Sequence, residues 1–130
     1  MSTIPNILFL DDDFLLIKAV ELITRSLNYR FYLCNSVKEA RLLLRSTDFQ
    51  VIFSDYHMPE CNGVDFLKET TFFSPKAIRI LVSASLGDEL GLAALKNGQV
   101  HNYFKKPFCK AEFHDSIEQA LVKYKEGLSQ

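Results

Sequence analysis

Three short runs of consecutive apolar residues alternate along the chain with segments of helical periodicity. The runs span Ile7–Leu10, Val51–Phe53 and residues 78–82, the last interrupted only by Arg79. Continuous apolarity is typical of strands that are covered on both faces, as in a parallel sheet. Two weaker segments, 30–34 and 102–104, complete five predicted strands. Because the first of these mixes Arg30 and Tyr32 with apolar residues, we expect it at an edge of the sheet.

The segments between and after the strands carry apolar stripes with the spacing of amphipathic helices. The stripes are Leu16, Val20, Ile23 and Leu27; Val37, Ala40, Leu43 and Leu44; Val64 and Leu67; Leu90, Ala93 and Ala94; and Phe113, Ile117, Ala120, Leu121 and Tyr124. Ser36 stands three residues before Glu39, a capping-box pattern that marks a helix start. Asp13 and Asp88 are candidate caps of the first and fourth helices, and Gly98 lies just past the fourth.

Strand and helix therefore alternate five times, which predicts an α/β fold. Such an order implies a parallel sheet with helices on both faces and right-handed crossovers. The 130 residues suffice for one domain, which we place at 1–130 with a core of about 6–121. Residues 125–130 are expected to fray. Phe72 and Phe73, after the third helix, are expected in the core.

Composition and charge exclude several classes of protein. The net charge of −1 argues against nucleic-acid binding through bulk charge. No apolar run is long enough for a membrane span, and the first lysine is Lys18, so no secretory signal fits. Cys34, Cys61 and Cys109 are an odd number without metal-like spacing, which favours free thiols in a reducing compartment. These features predict a cytoplasmic protein.

Reactive side chains follow four of the five predicted strands. They are Asp11, Asp12 and Asp13 after the first strand, Asp55 after the third, Ser83 after the fourth, and Lys105, Lys106 and Pro107 after the fifth. Ligands of open α/β sheets bind outside the carboxyl ends of the strands. Clustered carboxylates repel one another and favour a hard divalent cation, and an opposing lysine and hydroxyl could hold phosphoryl oxygens. One carboxylate would be the nucleophile that forms an acyl phosphate.

Four segments at these strand ends together resemble the receiver domain of bacterial response regulators, over about residues 6–121. They are ILFLDDD at 7–13, VIFSDYHMPECNGVDFL at 51–67, ILVSAS at 80–85 and YFKKPF at 103–108. The resemblance implies a flavodoxin-like doubly wound parallel sheet of five strands in the order 2-1-3-4-5, with five helices. It also implies a phosphorylation switch of two-component signalling, which assists its own phosphorylation and dephosphorylation, rather than an enzyme.

The resemblance assigns the phosphorylation and metal site by position. Asp55 matches the aspartate that accepts the phosphoryl group. Asp11 and Asp12 match the acidic pair that binds Mg²⁺, with Mn²⁺ as a possible substitute and Asp12 as the more direct ligand. Asp55 itself and the backbone carbonyl of His57 would complete the protein ligands. Lys106 matches the lysine that pairs with the phosphoryl group.

The remaining assignments concern switching and access. Ser83 matches the hydroxyl that bonds the phosphoryl group and moves on activation. Tyr103 matches the aromatic residue that turns inward when Ser83 moves, although it could equally be a permanent core residue. The other matches are Ala84, a small residue that leaves access to Asp55; His57 and Ser85, which flank the path of the attacking water; and Pro107, which follows a cis peptide bond.

One segment departs from the usual receiver pattern. Residues 98–106 are one residue longer than in most receivers, which leaves the register of the fifth strand open near Val100 and His101. The sequence LKNGQVHNYFKKPF looks like a subset that is often fused to HD-GYP phosphodiesterases or to other signalling outputs.

The resemblance implies partners as well. The phosphoryl donor would be a sensor histidine kinase or a phosphotransfer protein. An output domain or downstream protein, or a second copy in a homodimer, would contact the face of the fourth helix, fifth strand and fifth helix. No direct contact with nucleic acid or membrane is expected.

Two other functions remain open at this point. A phosphatase of the haloacid-dehalogenase type would use Asp11 and Asp13, whose spacing fits, but it would leave the segment around Asp55 unexplained. An interaction module that works without phosphorylation is the other. Simpler roles are also open: Asp11 and Asp12 as helix caps, and Asp55 as a turn residue.

Overall fold

The computed structural model describes residues 4–84 and 89–128. The strands are β1 (Asn6–Leu10), β2 (Arg30–Cys34), β3 (Val51–Asp55), β4 (Ile78–Ser83) and β5 (Asn102–Lys105). The helices are α1 (Phe14–Thr24), α2 (Val37–Ser46), α3 (Gly63–Phe73), α4 (Glu89–Lys96) and α5 (Lys110–Leu128). All strand pairs are parallel and the order is β2-β1-β3-β4-β5. The predicted fold is confirmed, and β2 lies at an edge as expected.

The apolar runs supply both faces of the sheet because successive side chains of a strand point in opposite directions. Leu8 and Ile52 pack on the side of α2, α3 and α4. Ile7, Phe9 and Phe53 pack on the side of α1 and α5. The core therefore consists of two layers, and the central strands β1, β3 and β4 are buried on both faces.

Helix capping follows the sequence. The side chain of Asp13 accepts from the N–H groups of Leu15 and Leu16 at the start of α1. Ser36 caps α2 by accepting from the N–H of Glu39 at 3.2 Å. Gly98 lies two residues past the end of α4 and has φ +76°, the left-handed conformation that glycine tolerates best. This conformation prevents the helix from continuing. The predicted cap Asp88 lies outside the described residues, as does the side chain of Leu90.

Several details differ from the sequence prediction. Helix α1 ends at Thr24, so Leu27 lies beyond it, and Ile17 is a buried α1 residue that the predicted stripe omits. Helix α5 continues to Leu128, so residues 125–128 are helical rather than frayed. Phe72 is 82% exposed, so its predicted core position is wrong. Helix α3 extends through Phe73, and adjacent residues of a helix point in different directions. Phe73 packs partly against the core, and Phe72 therefore faces solvent.

In the segment before β5, a side chain takes part in the hydrogen-bond ladder of the backbone. Val100 is buried, and the next residue, His101, donates its N–H to the carbonyl of Arg79 at 2.8 Å. The Arg79 N–H donates in turn to His101 Nδ1 at 2.9 Å. An imidazole nitrogen therefore accepts a bond that a backbone carbonyl would otherwise accept. The nearly buried Arg79 guanidinium donates to the carbonyls of Gln99 and Ala77.

Replacing His101 with alanine should lower the free energy of unfolding by about 1–3 kcal/mol, because the Arg79 N–H loses its acceptor. His101→Asn should recover part of this loss, since an amide oxygen can accept at similar reach. Urea unfolding of the three proteins would measure both effects. Equal stability of the alanine variant and the parent would show that the bond contributes little.

Candidate functional site

Three carboxylates converge where β1 and β3 end next to each other in the sheet. One carboxylate oxygen from each of Asp11, Asp12 and Asp55 lies within 4.8 Å of the others. Asp11 is fully buried, Asp55 is 7% exposed and Asp12 is exposed. Two carboxylates are therefore fixed in the protein while the third faces the side from which a ligand would enter.

Lys106 reaches the same point from the end of β5. Its backbone N–H donates to the carbonyl of Ser83 at 2.9 Å, and the Lys106–Pro107 peptide bond is cis. Its ammonium nitrogen lies 2.6 Å from Asp11 Oδ2 and 3.0 Å from Asp55 Oδ1. The lysine thus bridges the two buried carboxylates and joins β5 to β1 and β3.

Backbone donors fix the orientation of both buried carboxylates. The Asp13 N–H donates to Asp11 Oδ1, and the Tyr56 N–H donates to Asp55 Oδ1, each at 2.9 Å. Because the Lys106 ammonium also contacts Asp55 Oδ1, this oxygen has two donors among the described residues, and the other oxygen of Asp55 is the candidate for binding a ligand or reacting.

The backbone of Asp55 is held as well. The hydroxyl of the buried Ser54 donates to the Asp55 carbonyl at 3.0 Å. Gly63, the first residue of α3, lies so close that an added Cβ would overlap this carbonyl oxygen. The Gly63 N–H donates to the carbonyl of Tyr56 at 2.7 Å. The start of α3 therefore packs directly against the turn that presents Asp55.

The electrostatics show a site with more negative charge than one lysine can balance. Burial, together with the charge of Asp11, raises the pKa of Asp55 to about 6 from 3.8, against the opposing effect of Lys106. Burial also raises the pKa of Asp11. Burial lowers the pKa of Lys106, but contact with Asp11 and Asp55 outweighs it, so the pKa lies above its ordinary value.

The donor set fits a small divalent cation. Three carboxylates within reach of one point are hard oxygen ligands of the kind that Mg²⁺ prefers. Asp11 Oδ2 is buried and lies 2.6 Å from the Lys106 ammonium, so this carboxylate is held in place at the centre of the cluster. A cation would also relieve the repulsion that raises the pKa of Asp55. Asp11, Asp12 and Asp55 would hold it.

The other predicted site residues surround this centre to different degrees. Ser83, at the end of β4, is buried, and the next residue, Ala84, is exposed. His57 is exposed, with its ring centroid 4.6 Å from that of Tyr56. Tyr103 is half-buried and packs against the layer that contains α4. Ser85 lies outside the described residues.

Sequence reasoning did not identify the supports of Asp55. Neither the hydrophobic pattern nor the resemblance assigns a role to Ser54 or Gly63. The pair Asn62-Gly63 carries the available signal, because Asn62 caps α3 through its bond to the Asp65 N–H and glycine follows at the first helical position. Only the packing of α3 on β3 shows why that position lacks a side chain.

Comparison with known proteins agrees with this geometry. The chain is 30% identical over 118 residues to the hydrogenase transcriptional regulatory protein HoxA of Cupriavidus necator, covering 89% of this chain and 24% of that protein. It is 28% identical to the transcriptional regulatory protein ZraR of Klebsiella oxytoca, covering 90% of this chain and 26% of that protein. The chain thus spans about a quarter of the length of these relatives.

Solved structures show the same fold. A CheY-like response regulator receiver domain protein from Methanospirillum hungatei superposes with a TM-score of 0.86 at 19% identity, covering 95% of this chain and 98% of that one. The signal receiver domain of an HD domain-containing protein from Pseudomonas fluorescens gives 0.87 at 23% identity, covering 95% and 99%.

No helix among the described residues is long and apolar enough to cross a membrane.

The family model of the response regulator receiver domain matches residues 7–118, which is most of the chain. With the strand order and the acidic site at the strand ends, this match shows that the chain belongs to the response regulator receiver domain family.

Proposed function

We propose that this chain is a phosphorylation switch that accepts a phosphoryl group on Asp55 from the phosphohistidine of a sensor histidine kinase or a phosphotransfer protein. The observation that carries the proposal is the bridge of Lys106 between Asp11 and Asp55, at 2.6 and 3.0 Å. The bridge places a cation beside the acceptor carboxylate, where the charge of a phosphoryl group would develop.

The residues suggest how the transfer proceeds. The second oxygen of the Asp55 carboxylate attacks phosphorus, the P–N bond to the donor imidazole breaks, and its electron pair stays on the imidazole nitrogen, which takes a proton from solvent. Asp55 becomes an acyl phosphate. Tyr56 N–H and Lys106 hold the other carboxylate oxygen and so orient the attack. Mg²⁺ held by Asp11, Asp12 and Asp55, with the His57 carbonyl as a further ligand, would neutralise the phosphoryl oxygens.

Phosphorylation of Asp55 would change the conformation of a surface at a distance from it. The hydroxyl of Ser83 would bond the phosphoryl group, and Tyr103 would follow it inward, changing the face of α4, β5 and α5. An output domain, a downstream protein or a second copy would bind that face. Ala84, His57 and Ser85 would control how easily water reaches the acyl phosphate.

The alternative phosphatase chemistry is less well supported. It needs Asp13 beside Asp11 as an acid or base, but the Asp13 carboxylate accepts from Leu15 N–H and Leu16 N–H, at 3.0 and 3.3 Å. That carboxylate is used as the cap of α1 and is not part of the acidic cluster among the described residues.

Incubation with acetyl phosphate and Mg²⁺ should add one phosphoryl group, which peptide mapping should place on Asp55. A parallel reaction with a chelator should show little incorporation, because the carboxylates would repel the phosphoryl oxygens. Intact-protein mass spectrometry measures both. Incorporation at another residue, or equal incorporation without metal, would contradict the proposal. No incorporation despite Mg²⁺ binding would favour an interaction module that works without phosphorylation.

A further inference from the structure

The peptide group between Asp55 and Tyr56 is hydrogen-bonded at both of its ends. Its carbonyl, which belongs to Asp55, accepts from the Ser54 hydroxyl at 3.0 Å. Its N–H, which belongs to Tyr56, is shared between the Val82 carbonyl at 3.1 Å and Asp55 Oδ1 at 2.9 Å. Because a peptide group is planar and rigid, a hydrogen bond to its carbonyl also restricts the direction of its N–H.

The two acceptors of the Tyr56 N–H compete with each other. The bond to Val82 extends the ladder between β3 and β4 by one residue, whereas the bond to Oδ1 orients the side chain of Asp55. A small rotation of the peptide group would strengthen the first bond and weaken the second. Asp55 Oδ1 would then depend on Lys106, and its carboxylate would turn more freely about χ2.

Ser54 is placed to prevent this rotation. Its side chain is fully buried and donates to the Asp55 carbonyl. Gly63 approaches the same carbonyl oxygen so closely that no side chain fits there. A buried carbonyl needs a donor. Here the donor comes from the residue before the acceptor, so its loss acts directly on the peptide group that orients the Asp55 carboxylate.

We propose that Ser54 is a positioning residue for phosphoryl transfer. Its hydroxyl holds the peptide group so that the Tyr56 N–H stays on Asp55 Oδ1 and the other carboxylate oxygen faces the phosphoryl donor. Ser54 acts through Tyr56 and does not touch the phosphoryl group. The inference rests on the proposed function of Asp55 as the phosphoryl acceptor.

Three substitutions separate the hydroxyl of Ser54 from its size. Ser54→Ala removes the hydroxyl, Ser54→Cys keeps a similar volume with a weak donor, and Ser54→Thr keeps the hydroxyl. With saturating acetyl phosphate and Mg²⁺, incorporation should be about tenfold slower in the alanine variant and nearly as slow in the cysteine variant. The threonine variant should stay within about twofold of the parent. The half-saturating concentration of acetyl phosphate should change little, because Ser54 does not contact the donor.

The amide proton of Tyr56 gives a readout that does not depend on activity. Its chemical shift reports the strength of its hydrogen bonds, and a bond to a carboxylate is stronger than one to a neutral carbonyl. In metal-free, isotope-labelled protein, this resonance should move upfield in Ser54→Ala and Ser54→Cys and stay near its parent position in Ser54→Thr. An unchanged Tyr56 resonance in Ser54→Ala would overturn the inference, whatever the rate of phosphorylation.

Ser74→Ala is the matched control for the loss of a buried serine hydroxyl. Ser74 is 1% exposed, and its Oγ accepts from the Phe49 N–H at 3.2 Å and lies 3.3 Å from Asp48 Oδ1, near the opposite end of β3. This variant should lose stability but keep the parent rate and the parent Tyr56 resonance. Equal slowing by Ser74→Ala and Ser54→Ala would show a general loss of stability and would overturn the inference.

Failure of this inference is distinguishable from failure of the proposed function. If the parent protein takes up no phosphoryl group, the proposed function fails, and the Tyr56 resonance still decides whether Ser54 orients the peptide group. If the parent is phosphorylated on Asp55 and Ser54→Ala keeps both the rate and the Tyr56 resonance, the role of Ser54 fails and the proposed function stands.

Discussion

Asp55→Asn should abolish phosphoryl incorporation and, in metal-free buffer at neutral pH, should raise the free energy of unfolding. The first effect follows because an amide oxygen is a poor nucleophile and forms no stable acyl phosphate. The second follows because the substitution removes one of the clustered negative charges, whose repulsion and burial raise the pKa of Asp55 to about 6. Lys106 retains its contact with Asp11.

The pH dependence has a definite sign. Asp55 has a higher pKa in the folded protein than the ordinary value of 3.8, so the folded state favours the protonated form. Protonated Asp55 therefore contributes to the free energy of unfolding. This contribution is complete below the pKa that Asp55 has in the unfolded chain, and it is lost as the pH rises through about 6. The shift corresponds to a loss on the order of 3 kcal/mol. Asp55→Asn should remove this part of the pH dependence.

Urea unfolding between about pH 4 and pH 7 measures the effect. The parent protein should lose stability across this window in a chelator and regain it when Mg²⁺ is added at neutral pH. Asp55→Asn should respond less to both changes. Asp115→Asn is a matched control, because this exposed aspartate lies on α5 and away from the cluster. Equal pH profiles of parent and Asp55→Asn would show that Asp55 titrates normally.

Much of the fold could be predicted because its causes are local. The runs at 7–10, 51–53 and 78–82 are almost continuously apolar, which is typical of short strands covered on both faces. The strand ends then fix the positions of Asp11, Asp55 and Lys106, because parallel strands present their carboxyl ends at one edge. The Lys106 contacts with both acids follow from that placement.

The features that sequence reasoning missed depend on packing between segments distant in the chain. Whether Phe72 or Phe73 faces the core depends on the orientation of the last turn of α3. Two adjacent apolar residues do not determine that orientation, and Phe72 is the one that faces solvent. The role of His101 depends on its register against Arg79 in the neighbouring strand. Neither of these leaves a periodic signal.

Gly63→Ala should destabilise the protein and impair Asp55 at the same time. Within a helix alanine is normally favoured over glycine, so backbone preference alone would predict stabilisation. Here the added Cβ would overlap the Asp55 carbonyl oxygen and lie 2.9 Å from Leu81 Cδ1. Either α3 or the end of β3 must shift, and such overpacking costs about 3 kcal/mol. A shifted β3 end would also move the Asp55 carboxylate away from Lys106.

Gly127→Ala is the matched control, because Gly127 lies in α5 and an added Cβ would meet no atom within 4 Å. It should stabilise the protein slightly, by up to about 1 kcal/mol. Urea unfolding of both variants, combined with the rate of phosphoryl incorporation from acetyl phosphate, tests the packing argument. Gly63→Ala should phosphorylate more slowly even under conditions where it is fully folded. If it keeps the parent rate and stability, α3 does not position the acceptor, and the Tyr56 N–H, Lys106 and Ser54 hold Asp55 without it.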